Sequence, residues 1–476
     1  MRVTAFALLS LVLFVAGCAL PATTTTGTSS LPVAAPPRFA DAVGMPDVGG
    51  GEPNLAILPD GTLFVTSPAG AAQKPNVREG SAFLWRSSDG GKTWQTLRSP
   101  DVVPTPVEGQ RVPGAFCSCD ADVTTSSDGW VYYADWWIAG LVGPGNYIVE
   151  ASHDKGATWT SASVTIPENL VASVDREWLV AGSDGFLGLF YSFFGPTAVG
   201  GLPVPAFGLD RPGQAIEAVF SHDHGATWSN PTAVVAANGD SLQIGHPFMA
   251  PNGTLMMAYG RVHSPPSGTF WYDPSEVDLA YSTDKGTTWK SMKLADVPLG
   301  FDNLWAVQGA VDASTGQSTV VWAGRLDDVA DGKAGKESRM GLWVKQFGPQ
   351  GDFDPVLVRG DGQNFLPWAT ARDGRAAVGW YGGDARGHMM EAPAGANWFA
   401  YAAVAEDGHF TNRTASVPVV EEPVKVGPIC PKGSACNGNR ELLDYVSLVL
   451  DGAGKVHYAY TRSEQGNPHV AVVGQE

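Results

Sequence analysis

Positive charge is scarce in this chain. Its 476 residues hold 30 Lys and Arg against 48 Asp and Glu, a formal charge of −18. A surface so biased repels phosphate, so nucleic acid and anionic membrane surfaces are excluded as partners. Charged residues of both signs make up only 16%, and no segment carries an apolar repeat of helical period, whereas glycine (58), proline (35) and tryptophan (16) are abundant. Sparse charge with many turn-formers and large aromatic rings is the composition of an all-β protein built from short strands. Long hydrophobic runs are also lacking. The one candidate, Ala5–Ala16 behind Arg2, is too short to span a bilayer and has the build of a secretory signal. With no second such run, the rest of the chain is expected to be exported and soluble.

Cysteine is rare too, five in all. The first closes the run Val15-Ala16-Gly17-Cys18, which resembles the lipobox of prokaryotic lipoproteins. That resemblance implies cleavage before Cys18 and a lipid on its thiol. Residues 1–17 are then a signal peptide, and 18–35, with ATTTTGTSS at 22–30, a flexible tether. The expected location is a membrane-anchored lipoprotein at the cell surface or in the periplasm, touching membrane through its anchor alone. An exported chain permits disulfides. Cys430 and Cys436 can close a small loop together, which leaves Cys117 and Cys119 to pair with each other or across the fold. A zinc site from these four is disfavoured by their spacing.

What the chain has in quantity is repetition. Ser87–Trp94 reads SSDGGKTW, and SHDKGATW, SHDHGATW and STDKGTTW follow at 65, 69 and 61 residues further on. A second repeat runs out of phase with the first. Seven strand–turn–strand segments begin near 55, 123, 179, 248, 311, 370 and 448, most of them turning on Asp-Gly or Asn-Gly. Those dipeptides supply the positive φ angles of tight hairpins. Four strands per unit and seven units predict a seven-bladed β-propeller of four-stranded antiparallel blades over residues 36–476, with a six-bladed ring as the alternative. The last unit shows three strands, so 38–45 are expected to supply its fourth and close the ring. In units five and six, GPQGDFDP (348–355) and EDGHFTN (406–412) look like worn copies of the repeated phrase. A phrase used four times suits a frame better than a catalyst. Asp89, Asp154, Asp223 and Asp284 are therefore read as structural turn residues.

The phrase is similar to the Asp-box of sialidases and the wider bacterial-neuraminidase-repeat superfamily, which also holds other glycosidases, assembly factors and receptors. The resemblance covers residues 36–476 and is specific for fold, less so for activity. It implies a carbohydrate or glycoprotein ligand and a glycoside hydrolase of acidic sugars. The alternative it leaves open is a non-catalytic binding or assembly propeller at the cell surface.

Long connections between second and third strands mark one rim as the working face. Its expected lining includes Glu52, Asp120, Asp122, Asp175, Arg176, Glu177, His246, Arg440, Glu441, Asp444 and Tyr445. A sialidase clamps a carboxylate with three arginines and uses a tyrosine nucleophile helped by a glutamate, with an aspartate as acid/base. By that resemblance Tyr445 is the nucleophile, Glu441 or Glu177 its helper, and Asp120 or Asp122 the acid. Arg176, Arg261, Arg325, Arg440 and Arg462 are the clamp candidates, with Trp137, Trp271, Tyr272 and Tyr381 as sugar-stacking rings. The chain departs from the family at Gly51-Glu52-Pro53-Asn54, where sialidases carry Arg-Ile-Pro. Each carboxylate also has a structural use as an acceptor for loop amides, and Arg176 between Asp175 and Glu177 reads equally as an ion pair. No cofactor is demanded; a carboxylate-lined channel would suit Ca²⁺, but no ligand spacing requires it, and a monomer is expected.

Overall fold

A computed structural model describes residues 35–46, 50–68, 82–98, 115–139, 145–165, 172–199, 202–204, 215–263, 275–297, 306–326, 338–430, 441–442, 444–464 and 467–476. Seven antiparallel sheets follow one another along the chain, each with a path of four strands and three of them with a short fifth strand beside it, and together they form a seven-bladed β-propeller. Seven sheets replace the six-bladed alternative. Among the described residues a 3₁₀ turn at Met389–Glu391 is helical, and no helix is long and apolar enough to cross a membrane.

The inner strands, numbered here by blade, are Asn54–Ile57, Ala115–Thr125, Ala172–Ala181, Ser241–Met249, Val307–Val311, Gln363–Arg372 and Ser447–Leu450. Each is joined to its second strand by the expected tight hairpin. In the sixth blade Asp373 and Gly374 take φ of 52° and 79° between the paired residues Arg372 and Arg375. A turn with two positive φ values matches the right-handed twist of the strands it joins.

Closure follows the expected splice. Val43 and Gly44 pair with Val472 and Ala471 as the fourth strand of the seventh blade, and Phe39 bridges Gln475 beyond them. The strand Asn467–Gly474 is thereby paired on both sides, so the two ends of the propeller share one sheet.

The repeated phrase forms the turn between third and fourth strands. In all four copies the serine Oγ donates to the aspartate at 2.7–2.8 Å and the second threonine-position hydroxyl donates to the other carboxylate oxygen at 2.6 Å. Threonine donation, serine donation and backbone N–H groups push Asp89, Asp154, Asp223 and Asp284 down to about 2. The tryptophan that follows donates its Nε1–H to the glycine carbonyl of the same turn at 2.9–3.1 Å. Its ring then packs into the apolar layer shared with the preceding blade. Trp159 sits against the cluster of Phe64, Leu84, Val123 and Tyr133 from blades one and two. Trp228 does the same between blades two and three. In the worn copies other groups take over. Phe410 is buried in the seam of blades five and six, and its N–H donates to Gln346 Oε1 at 2.9 Å.

Candidate functional site

Prolines inside inner strands shape the centre of the ring. A proline cannot donate to the ladder, so within a sheet it sits on an edge strand or at a bulge. Pro247 and Pro367 sit at register breaks between Ile244 and Pro247 and between Phe365 and Trp368. The third blade breaks in the same way between Asp175 and Trp178, and the second between Ser118 and Ala121. Bulged residues leave the ladder and re-aim their side chains. Arg176 and Leu366 take φ of 59° and 50° in these breaks, and Glu52, just before Pro53, takes 51°. Left-handed backbone costs a non-glycine residue roughly 1–2 kcal/mol, so the surrounding contacts must hold it there.

Those contacts converge on the axis. Trp178 from blade three meets Tyr445 from blade seven at 5.1 Å between ring centroids and Trp368 from blade six at 5.8 Å, both edge to face. His246 from blade four lies 5.1 Å from Trp178 and 5.3 Å from Trp368. Rings from four blades thus touch one another across the propeller axis. Edge-to-face aromatic pairs place the positive rim of one ring on the negative face of the next.

Beside this aromatic floor lies a guanidinium caged by carboxylates. Arg176 Nη1 donates to Glu52 Oε2 at 3.5 Å and to Asp120 Oδ1 at 3.4 Å, while Nη2 pairs with Asp444. The same residue's backbone N–H donates to Asp120 Oδ2 at 3.2 Å and to Asp175 Oδ1 at 3.0 Å. Its guanidinium carbon lies 5.4 Å from the centre of the Tyr445 ring. Burial works against the Arg176 charge, but Asp120, Asp444 and Glu52 more than offset it and hold its pKa well above the usual value. The cage joins blades one, two and seven to blade three.

Three further groups are shifted toward their protonated forms. Burial, then the charge of Asp120, pushes Asp175 well above the usual carboxylate range, against the pull of Arg176. Glu177 is 1% exposed, and neither of its oxygens has a hydrogen-bond partner from another described residue. Burial and then Asp120 push its carboxyl well above the usual range as well. Tyr445 is held above the normal phenol range by burial, Glu52 and Asp120, with Arg176 opposing. Proton-bearing acids next to ion-paired carboxylates are the separation of roles that acid–base chemistry at neutral pH needs.

No family model and no curated protein matches the chain. Among solved structures it is similar to an α-L-arabinanase of Penicillium chrysogenum complexed with arabinobiose, at 14% identity over 92% of this chain and 98% of the other, with a TM-score of 0.46. It is similar to an α-L-arabinofuranosidase of Fusarium graminearum with arabinobiose, at 14% identity over 91% and 97%, TM-score 0.47. A Trypanosoma rangeli sialidase in complex with sialic acid aligns at 14% identity over 74% of this chain and 53% of that one, TM-score 0.41.

Of the residues expected at the site, Asp120, Arg176, Glu177 and Tyr445 come together in the axial cluster. Asp122 lies in it but serves as a strut. It is fully buried, accepts from Asn54 Nδ2 and from the Leu179 N–H at 2.5 Å, and faces His246 Nε2 at 3.4 Å. Its carboxylate therefore ties blades one, three and four to blade two, a structural task. Glu441 Oε1 accepts a hydrogen bond from Lys425 Nζ of blade six at 3.2 Å. Of the nearby glutamates, Glu52 acts most strongly on the phenol and Glu177 less so.

Arg261, another clamp candidate, is engaged by groups other than those of the Arg176 cage. Arg261 is held within blade four by Asp278 at 2.8 Å and Tyr259 at 2.9 Å, and by Asp240 at 2.9 Å. Arg325 is buried at the end of the second strand of blade five. Arg462 lines a separate groove of about 960 Å³ with Arg38, Glu421, Glu422 and Tyr460, beside the closing strand. Tyr381 is buried in the seam of blades six and seven, donating to the Thr461 carbonyl at 3.2 Å and accepting from its N–H at 2.7 Å. Both capacities of its hydroxyl are used there. Cys18, Cys436, Arg440, Trp271 and Tyr272, and the side chains of Trp137, Cys117 and Cys119, lie outside the described residues. Among the described residues no three His, Cys, Asp or Glu side chains are arranged to hold a metal ion. In the axial cage the central cation is Arg176.

Trp178 and Trp368 belong to the site although the sequence analysis passed over them. A signal for them existed: each follows a residue that interrupts an inner strand, Glu177 in DREW and Pro367 in FLPW.

Proposed function

We propose that the axial cluster is the active centre of a glycoside hydrolase. Glu177 is the general acid: its proton passes to the glycosidic oxygen as the bond to the anomeric carbon breaks. Asp120 is the base. A water adds its oxygen to the anomeric carbon and its proton goes to the Asp120 carboxylate, so that sugar and alcohol leave with one water consumed. Protons return between the two carboxyls through solvent. Positive charge developing on the sugar ring is stabilised by the carboxylates of the Arg176 cage and by the faces of Tyr445 and Trp178. Tyr445, held protonated in this setting, orients the sugar by hydrogen bonding and takes the place of a nucleophile only if substrate binding lowers its pKa. The observation that carries the reading is the buried carboxyl of Glu177, with no partner from another described residue, near the paired carboxylate of Asp120.

Fluorogenic aryl glycosides of several neutral and acidic sugars, in both anomers, test it. The expected result is turnover of at least one. Asp120→Asn is expected to lower kcat by about 10²-fold or more and Tyr445→Phe by a smaller factor. Inertness across the panel contradicts the reading. A second reading, a glycan-binding propeller without turnover, draws support from the saturation of Arg176 by three carboxylates and the 2% exposure of Tyr445. It predicts ligand binding with no product formed.

The site is proposed to work outside the cytoplasm, on a chain anchored by lipid at Cys18 and carrying a Cys430–Cys436 disulfide loop. Cys18→Ser is expected to move the protein from the membrane fraction to the soluble one. Unchanged fractionation contradicts the anchor.

A further inference from the structure

We infer that protons reach the axial carboxyl of Glu177 through the seam between blades two and three, by way of Tyr147, Tyr191 and Glu217. The inference rests on the hydrolase reading for its use in turnover; the path itself is a property of the seam.

The need for a path comes from burial. A general acid that has given its proton to a leaving group must regain one before it acts again. Glu177 is 1% exposed, so bulk water hardly touches its carboxyl. Groups that both donate and accept can carry a proton to it.

Strand alternation places such groups beside it. On the inner strand Ala172–Ala181 of blade three, Leu179 packs in the apolar layer between blades two and three, whereas Trp178 and Val180 pack on the other side. Side chains of a strand alternate between faces, so Glu177, two residues before Leu179, turns toward blade two. The carboxylates that act on it, Asp120, Asp135 and Asp122, all belong to that blade. Tyr147, on the third strand Gly145–Ser152 of blade two, shares the layer with Val149 and Ala151 and faces back toward blade three. Leu187, Leu189 and Tyr191 of blade three's second strand and Val219 of its third lie in the same layer. Glu217, two residues from Val219, is the ladder partner of Tyr191 and shares its face.

These groups form a series from the axis outward. After burial, Glu177 and then Tyr191 act most strongly on the Tyr147 phenol. The rings of Tyr147 and Tyr191 have centroids 5.6 Å apart, and the Tyr191 hydroxyl donates to Glu217 Oε2 at 3.1 Å. Glu217 is half-buried and ends the series where solvent begins. Both oxygens of Glu177 and the Tyr147 hydroxyl are buried with no partner from another described residue. Ordered water normally satisfies such groups, and here it completes the links on either side of Tyr147.

An inward transfer moves one proton and no electrons. Glu217 gives its O–H proton to the Tyr191 oxygen as Tyr191 gives its own toward Tyr147, and Tyr147 gives its own toward the Glu177 carboxylate. Bridging waters pass the proton where no direct bond exists. Each phenol ends with the proton count it began with, and Glu217 refills from solvent. Burial raises both phenols well above the normal range, which suits a concerted shift in which no phenolate accumulates.

Rapid mixing of the protein into D₂O, followed by infrared, reads the path directly. The carboxylic-acid band of Glu177, assigned by subtraction of Glu177→Gln, shifts as its proton exchanges for deuterium. Tyr147→Phe and Tyr191→Phe each remove one hydroxyl and are expected to slow that exchange about tenfold or more. Glu217→Gln should slow it less, because water reaches that end. Tyr458→Phe alters an equally buried phenol, bonded to the Trp380 carbonyl in the seam of blades six and seven, and should exchange at the wild-type rate. Unchanged exchange in Tyr147→Phe and Tyr191→Phe overturns the inference, as does the absence of a Glu177 acid band to follow. With any glycoside that reacts, the same two variants should lower steady-state kcat by a larger factor than the first-turnover burst, for which the proton is already in place. A burst lowered as far as kcat contradicts the refilling role. Inertness toward every glycoside removes the hydrolase reading instead, and the exchange rates still decide the path.

Discussion

Glu177→Gln is expected to lower kcat by about 10²–10⁴-fold, the usual contribution of a positioned general acid, and yet to leave the protein as stable as before or more so. Both halves come from one fact. The carboxyl is 1% exposed with no partner from another described residue, so its ionised form is disfavoured in the folded state. Glutamine keeps the shape and removes the ionisation. The pH dependence has a definite sign. A carboxyl whose pKa is raised on folding contributes stability that is full below its unfolded value of about 4.5 and is lost as pH rises through the folded value. Between pH 5 and 8 the wild-type melting temperature should therefore fall more than that of the glutamine variant. Asp175, raised for the same reasons, leaves a residual slope in both. A variant that is less stable at every pH, with unchanged kcat, would mean that Glu177 is a strut.

Arg176→Met is expected to damage the fold rather than tune it. Removing the guanidinium leaves Glu52, Asp120 and Asp444, none more than 6% exposed, buried together without their shared cation. Breaking a buried pair in this way typically costs about 3–5 kcal/mol. Here the loss falls on the joint where blades one, two and seven meet blade three, and blade seven is also where the ring closes. Chemical denaturation should show a lower midpoint or loss of a single transition. Because protonating these carboxylates relieves their repulsion, the deficit should shrink as pH is lowered. Arg176→Lys keeps a charge but not the two-nitrogen reach, and should fall between. A midpoint equal to wild type would mean that the cage contributes nothing to closure.

The frame was legible because its signals are local. Asp-Gly turns and alternating apolar strands repeat within a few residues, and the leftover strand at 38–45 had one vacant place to fill beside Asn467–Gly474. The centre was legible in part. Asp120, Arg176 and Glu177 lie in inner strands and Tyr445 just before one, and such strands can be read from pattern. Their partners could not be. Lys425 claims Glu441 from another blade, and Asp240 and Asp278 claim Arg261 from neighbouring strands of its own. Trp178 and Trp368 were hidden for a different reason: inner strands are buried on both faces, so a ring on the axis has the same surroundings in sequence as a ring in the core. The four repeated turns raised no such ambiguity, since their hydrogen bonds close within eight residues.

The proton on Glu177 can be observed directly. Infrared difference spectra between wild type and Glu177→Gln at pH 7 should contain the carbonyl stretch of one protonated carboxylic acid, which shifts in D₂O and disappears as pH is raised well above neutrality. A carboxylate band in its place, titrating near the value of an ordinary glutamate, would contradict the acid role at the axis of the propeller.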